Sequence, residues 1–211
     1  MLLRHDEKVP IARLLTFLEH GERMAQDCAA RQARLTTESG TRRFLTAQSR
    51  QESMHAYVFQ GAIAWLAPRH LGDTPVLPAL EEYRRILDDA LQNGELLDTF
   101  LAEQVILEGL GEAILTRIEA GLAKRQAPFG RLRRVLLQQE EAHHGFGRRR
   151  LAEAMARGET DLAALRAQAQ RYLALTDSMV LTLCELFDSI DEDAAAWAQD
   201  VRTFLPEWLV P

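Results

Sequence analysis

Apolar residues recur along nearly the whole chain at spacings of three and four, the period of an α-helix with one buried face. Ile11, Leu15, Leu18, Ala25 and Ala29 form such a stripe in a helix expected from about Pro10 to Leu35. Pro10 suits its first turn, where a missing N–H costs nothing. After TTESGT (36 to 41), a second helix is expected from about Arg42 to Ala67, with Leu45, Gln48, Phe59, Ala62 and Leu66 on its inner stripe. A crossover punctuated by Pro and Gly (68 to 78) leads to a shorter helix, about Ala79 to Leu91, which the sequence QNG stops. The next long helix is expected as one regular rod from about Glu95 to Lys124. QAPFG (126 to 130) breaks the chain before a fourth, from about Arg131 to Arg157. Two more, about Thr160 to Ile190 and Glu192 to Phe204, fill the C-terminal region. Helix formers dominate and β-branched runs are missing, so the predicted class is all-α. No linker or low-complexity tract interrupts the pattern. One domain is expected over 1–211, with a bundle core at about 10–157 and C-terminal helices at about 160–204.

Several positions in these apolar stripes are acidic or imidazole side chains, where a charge needs a partner. Glu22 lies in the first stripe. Glu52 and His55 lie in the second, three residues apart and so on one helix face. A second pair of the same spacing, Glu140 and His143, lies in the fourth long helix. One Glu-x-x-His arises often by chance on a surface helix; two, each in an apolar stripe on its own helix, point to a metal site inside a bundle. The third long helix offers Glu108, but two of its faces are apolar, and Glu103 and Glu112 compete with it on periodicity. The fourth holds QEEAHH, which also reads as Glu141-x-x-His144. Extending the stripes favours Glu140 and His143: their face continues to Gly147, whereas the face of Glu141 and His144 continues to Arg148. Glu141 and His144 are then expected to flank or support the ligands.

Four carboxylates and two imidazoles from four helices would hold two metal ions. Iron suits this oxygen and nitrogen set, and manganese in one position stays open, since both metals favour it. Burying four carboxylates without cations would be very costly, so charge balance itself argues for metal. Gly109, Gly111 and Gly147 lie within a turn of the candidate ligands. They leave room for a small molecule or for close helix packing, readings of equal weight here. Phe59 and Phe146 line such a pocket or simply fill the core.

Composition narrows the function. The 211 residues are 47% hydrophobic and 27% charged, with a formal net charge of -6, which disfavours a nucleic-acid partner. The basic runs RLRR (131 to 134) and RRR (148 to 150) read as solvated helix faces. No apolar run is long enough to span a membrane, and MLLRHDEKVP lacks the apolar core of a secretory signal. Cys28 and Cys184 are isolated, as expected of buried free thiols in a reducing cytoplasm. Trp65, Trp197 and Trp208 are expected to be packing anchors.

The order Glu, Glu-x-x-His, Glu, Glu-x-x-His resembles the ferritin-like di-iron carboxylate superfamily. The local strings are most similar to those of aldehyde-deformylating oxygenases: Gly21-Glu22, the Leu107-Glu108 step in VILEG, and the run from His143 through Gly145 and Phe146 to Gly147. The resemblance covers about residues 10 to 157. It implies a ferritin-like four-helix bundle with an extra short crossover helix and added C-terminal helices. It also implies two iron ions on Glu22, Glu52, His55, Glu108, Glu140 and His143, and an oxidase or oxygenase that uses O2 on a small apolar substrate. An electron-donor protein and a monomeric or dimeric state are consistent with it. Two other classes remain: an iron-handling ferroxidase or peroxide-reducing protein of the bacterioferritin or rubrerythrin kind, and a metal-free helical interaction module.

Overall fold

A computed structural model describes residues 6–73, 78–124, 126, 129–182 and 193–209. Cys184 and the end, near Ile190, of the helix expected from Thr160 lie outside the described residues. Helices α1 (Lys8–Leu35) and α2 (Ser39–Leu66) are followed by a 3-10 turn at Pro68–His70. Then come α3 (Pro78–Asn93), α4 (Leu96–Phe100), a π-helical segment (Leu101–Leu107), α5 (Glu108–Lys124), α6 (Gly130–Ala156), α7 (Leu162–Thr182) and α8 (Ala194–Phe204). Among the described residues there is no strand, and the all-α expectation holds. Among the described residues no helix is long and apolar enough to cross a membrane. The chain divides into two compact units. One contains α1, α2 and the 3-10 turn; the other contains α3 to α6, α7 as far as Met179, and α8 from Ala195.

In the first unit α1 and α2 pack along their lengths. Leu14, Cys28, Leu45, Ala56 and Ile63 are among the residues buried there. Polar ties fix the pair: the Ser49 hydroxyl donates to the Gln26 carbonyl at 2.9 Å, and the Gln60 amide donates to Glu19 at 2.9 Å. Cys28 is a buried free thiol. Trp65 is not an anchor, however: it sits 70% exposed near the end of α2, where the helix presents Met54 and Tyr57 to solvent as well. Trp197, on α8, is buried as expected, with the Arg117 guanidinium over its ring.

The second unit departs from the expected regular rod between 95 and 124. Residues Leu101–Leu107 form a π-helix, and the Glu108 N–H donates to the Glu103 carbonyl, five residues back. A π turn holds more residues than an α turn, so a longer stretch of consecutive side chains can face inward. Every residue from Leu101 to Ile106 is buried. This is why an α-helical stripe could not choose between Glu103 and Glu108: both are inside. The segment is clamped from two directions. The Tyr83 hydroxyl of α3 donates to the Ala102 carbonyl at 2.7 Å, satisfying a backbone group inside the irregular stretch. On the other side α6 comes so close at Gly147 that a Cβ there would lie 2.5 Å from the Gln104 Cβ and 3.0 Å from its carbonyl carbon. Of the two readings of Gly147, close packing is the one the structure shows.

Tyr83 also packs against Tyr172 of α7, with the rings tilted and their centroids 5.0 Å apart. The Tyr172 hydroxyl donates to the Asp98 carboxylate at 2.7 Å. Burial, then this hydrogen bond and the carboxylate's charge, hold the phenol well above its usual titration range, so it stays a donor at neutral pH.

Two stability measurements follow. A helix-interior Gly→Ala change ordinarily stabilises by roughly 0.5–1 kcal/mol, and Gly61→Ala, with nothing within 4 Å of the new Cβ, is expected to do so in a urea melt. Gly147→Ala is expected to destabilise instead, by about 1–3 kcal/mol, because the clash is with a neighbouring stem and backbone. Tyr172→Phe is expected to lose about 1–3 kcal/mol by stripping the donor from the Asp98 carboxylate. Adding Asp98→Asn to it should recover part of that loss in the same assay.

Candidate metal centre

The first unit places three of the candidate residues together. Glu22 comes from the middle of α1, and Glu52 and His55 from adjacent turns of one face of α2. His55 Nδ1 lies 3.0 Å from Glu52 Oε2 and 3.3 Å from Glu22 Oε2. Glu52 is fully buried, and His55 and Glu22 are 1% and 9% exposed. One ring nitrogen therefore faces two carboxylates inside the protein. A single imidazole, even protonated, balances one of these charges, and the arrangement fits a cation placed where that nitrogen and the two carboxylates converge. Phe59, one turn beyond His55, is buried on the same helix.

The second unit repeats the grouping with different spacing. Glu108 opens α5 directly after the π segment, and Glu140 and His143 lie on one face of α6. His143 Nδ1 is 3.6 Å from Glu108 Oε1, and all three residues are buried. Gly111 leaves its position open beside Glu140: a Cβ there would sit 3.5 Å from Glu140 Oε2, in ordinary contact. Again two carboxylates share a buried helix pair with one imidazole. Glu103, fully buried in the π segment one π turn before Glu108, is a further carboxylate of the same interior.

The flanking residues sort differently from one another. Glu141 is exposed on α6 and lies away from the buried face, so it supports no ligand by contact. His144 is buried, and its Nδ1 pairs with Glu112 Oε2 at 2.8 Å. Its ring edge lies against Gly109, 3.7 Å from where a Cβ would stand. Glu112, a rival to Glu108 on periodicity, is thus engaged by the neighbouring histidine. Nothing in the sequence links the two helices at this pair. Phe146 is buried edge-on against Phe100, with centroids 5.7 Å apart.

No protein-family model and no curated protein matches this chain. Among solved structures it is similar to one described as "Protein 19 with aldehyde deformylating oxidase activity from Synechococcus", with a TM-score of 0.79 and 18% sequence identity. The match covers 98% of this chain and 92% of that one. At this identity the likeness establishes the fold: the chain is an all-α, ferritin-like helical bundle, with α3 as the extra crossover helix and α7 and α8 added after α6.

Proposed function

We propose that the protein is a non-haem di-iron oxidase or oxygenase that uses O2 to oxidise a small apolar organic substrate. The two irons are assigned to Glu22, Glu52, His55, Glu108, Glu140 and His143, each ion taking one histidine. The observation that carries this reading is the repeated buried grouping, two carboxylates to one imidazole on α1 and α2 and again on α5 and α6. A mixed carboxylate and imidazole donor set suits iron, with oxygen donors for the ferric ion and nitrogen donors that help hold the ferrous one. When bound, such an iron pair supplies the reductive activation of dioxygen. The chain's own part is to fix the donors on rigid helices and to surround them with apolar side chains that exclude water. The similar structure's aldehyde deformylating oxidase activity makes aldehydes the first substrate class to test.

Under anaerobic loading with ferrous iron, metal analysis is expected to give about two irons per chain, one for each carboxylate–histidine group. A particle of hundreds of irons per shell would indicate storage instead. The register on α6 is tested by a pair of variants. Glu140→Ala is expected to lose most of the bound iron, whereas Glu141→Ala, which removes an exposed side chain, keeps it. Equal loss in both variants would reject the assignment.

A further inference from the structure

The solvent face of α2 carries an arrangement that the proposed centre does not use. Arg43, Arg50, Met54, Tyr57, Gly61 and Trp65 are all exposed. At 100° per residue they fall within about 40° of one line along the helix, on the side opposite Glu52 and Phe59. The line runs roughly 33 Å and changes character along its length. It begins with the two arginines. From Met54 onward it is uncharged and apolar. Met54, Tyr57 and Trp65 are 61%, 59% and 70% exposed, so each keeps more than half of its surface in water.

The one acidic residue of α2 is Glu52, and it is fully buried. Beyond the apolar stretch comes another exposed arginine, Arg69, in the 3-10 turn. Among the described residues none of Arg43, Arg50 and Arg69 has an acidic partner. Arg23 of α1 lies over the Tyr57 ring, 5.4 Å from its centroid, but it pairs with Glu19 at 2.9 Å and adds no net charge. In a chain of net charge -6, a helix face with exposed bases and no exposed acid is a local reversal of sign.

Three large apolar side chains in one row mark a surface that something covers, and the charges say what. A second copy fits poorly. Paired antiparallel about Gly61, the strip would set the Arg50 end of one copy against the Arg69 end of the other. Paired parallel, Arg43 and Arg50 would face their own counterparts. Both place like charges together. A protein partner would need a shaped pocket for each protruding side chain, whereas a fluid bilayer takes them in without one. Tryptophan and tyrosine suit the boundary between headgroups and acyl chains, and arginine suits lipid phosphates. We infer that the outer face of α2 is a docking surface for an anionic lipid bilayer, with Met54, Tyr57 and Trp65 entering the boundary and Arg43 and Arg50 meeting the phosphates beside them. Apolar molecules collect in bilayers, so docking would bring the chain to them. The inference goes beyond the function proposed above and does not depend on it.

Binding is measured by co-sedimentation of the full chain with vesicles of equal parts phosphatidylcholine and phosphatidylglycerol, and with vesicles of phosphatidylcholine alone. The wild type is expected to bind the mixed vesicles, less as salt rises, and to bind the neutral ones at least about tenfold more weakly. Tryptophan emission is expected to shift to the blue on binding and to be quenched by brominated acyl chains, and Trp65→Phe to remove most of that quenching. Met54→Gln/Trp65→Gln is expected to bind mixed vesicles at least about tenfold more weakly. Arg43→Gln/Arg50→Gln is expected to bind them about thirtyfold more weakly, whereas Arg131→Gln/Arg134→Gln, at exposed positions of α6, binds as wild type. Circular dichroism melts check that each variant is folded. Equal binding to both kinds of vesicle, or wild-type binding by both α2 variants, would overturn the docking surface. No binding by the wild type would overturn it as well; a dimer that Met54→Gln/Trp65→Gln separates in the ultracentrifuge would then assign the strip to a second copy, and a monomer would leave it to a protein partner.

Discussion

Carboxylates removed from water set the terms for the rest of this structure. Glu52 and Glu103 are fully buried, and Glu140, Glu108 and Glu22 nearly so. The effective penalty for burying an ion is several kcal/mol after relaxation, a large fraction of the roughly 5–15 kcal/mol by which a domain is stable. A helical protein can afford such groups where the backbone is already satisfied and where the acids are held in a fixed relation to imidazoles. Here the histidines do the holding: His55 Nδ1 sits between two carboxylate oxygens, and His143 Nδ1 faces a third. An excess of acid over imidazole remains in each unit, and a divalent cation is the simplest charge that removes it.

The positions of these acids depend in turn on an irregularity in the backbone. A regular α-helix through Leu101–Leu107 would turn Glu103 and Glu108, five residues apart, to faces about 140° apart. The π segment closes that angle, with the Glu108 N–H on the Glu103 carbonyl. Such a segment strains the hydrogen-bond ladder and persists where its surroundings favour it. Tyr83 takes up the Ala102 carbonyl, and Gly147 lets α6 rest directly on Gln104. The glycine that seemed equally able to admit a small molecule is the one that admits a neighbouring helix. Gly111, beside Glu140, keeps its space near the acid.

The helices were legible in the sequence because their apolar stripes are long and their breaks are marked by Pro and Gly. The observed ends of α1, α2, α3 and α6, and the outer limits of the stretch from α4 to α5, fall within a few residues of the expected ones. The candidate acids and imidazoles were legible for the same reason, as polar residues in stripes that should be apolar. The π segment was not, since an inserted residue leaves no composition signal: LAEQVIL, with Glu103 and Gln104 among apolar residues, reads equally as a regular α-helical stretch. Trp65 shows another limit: a large aromatic reads as core, yet this one is 70% exposed. The pairing of His144 with Glu112 depends on how α5 and α6 meet, and a single chain without an alignment holds no record of that.

Helix α6 buries Glu140 and exposes Arg131, Arg134, Arg148 and Arg149, and magnitudes say how far they interact. An exposed arginine about 10 Å from a buried carboxylate, acting through a water-like dielectric, contributes about 0.4 kcal/mol. Physiological salt screens even that, because the distance exceeds the Debye length. Four such residues fall short of the several kcal/mol needed for one buried acid. These arginines therefore do not neutralise Glu140, and their field acts mainly on what lies outside the protein. On the inner face the reverse holds: Glu140 and His143 are too buried to meet a protein partner, and only small species can reach them. The same helix can thus carry the proposed ligands inward and a solvated, charged face outward with little interference between them.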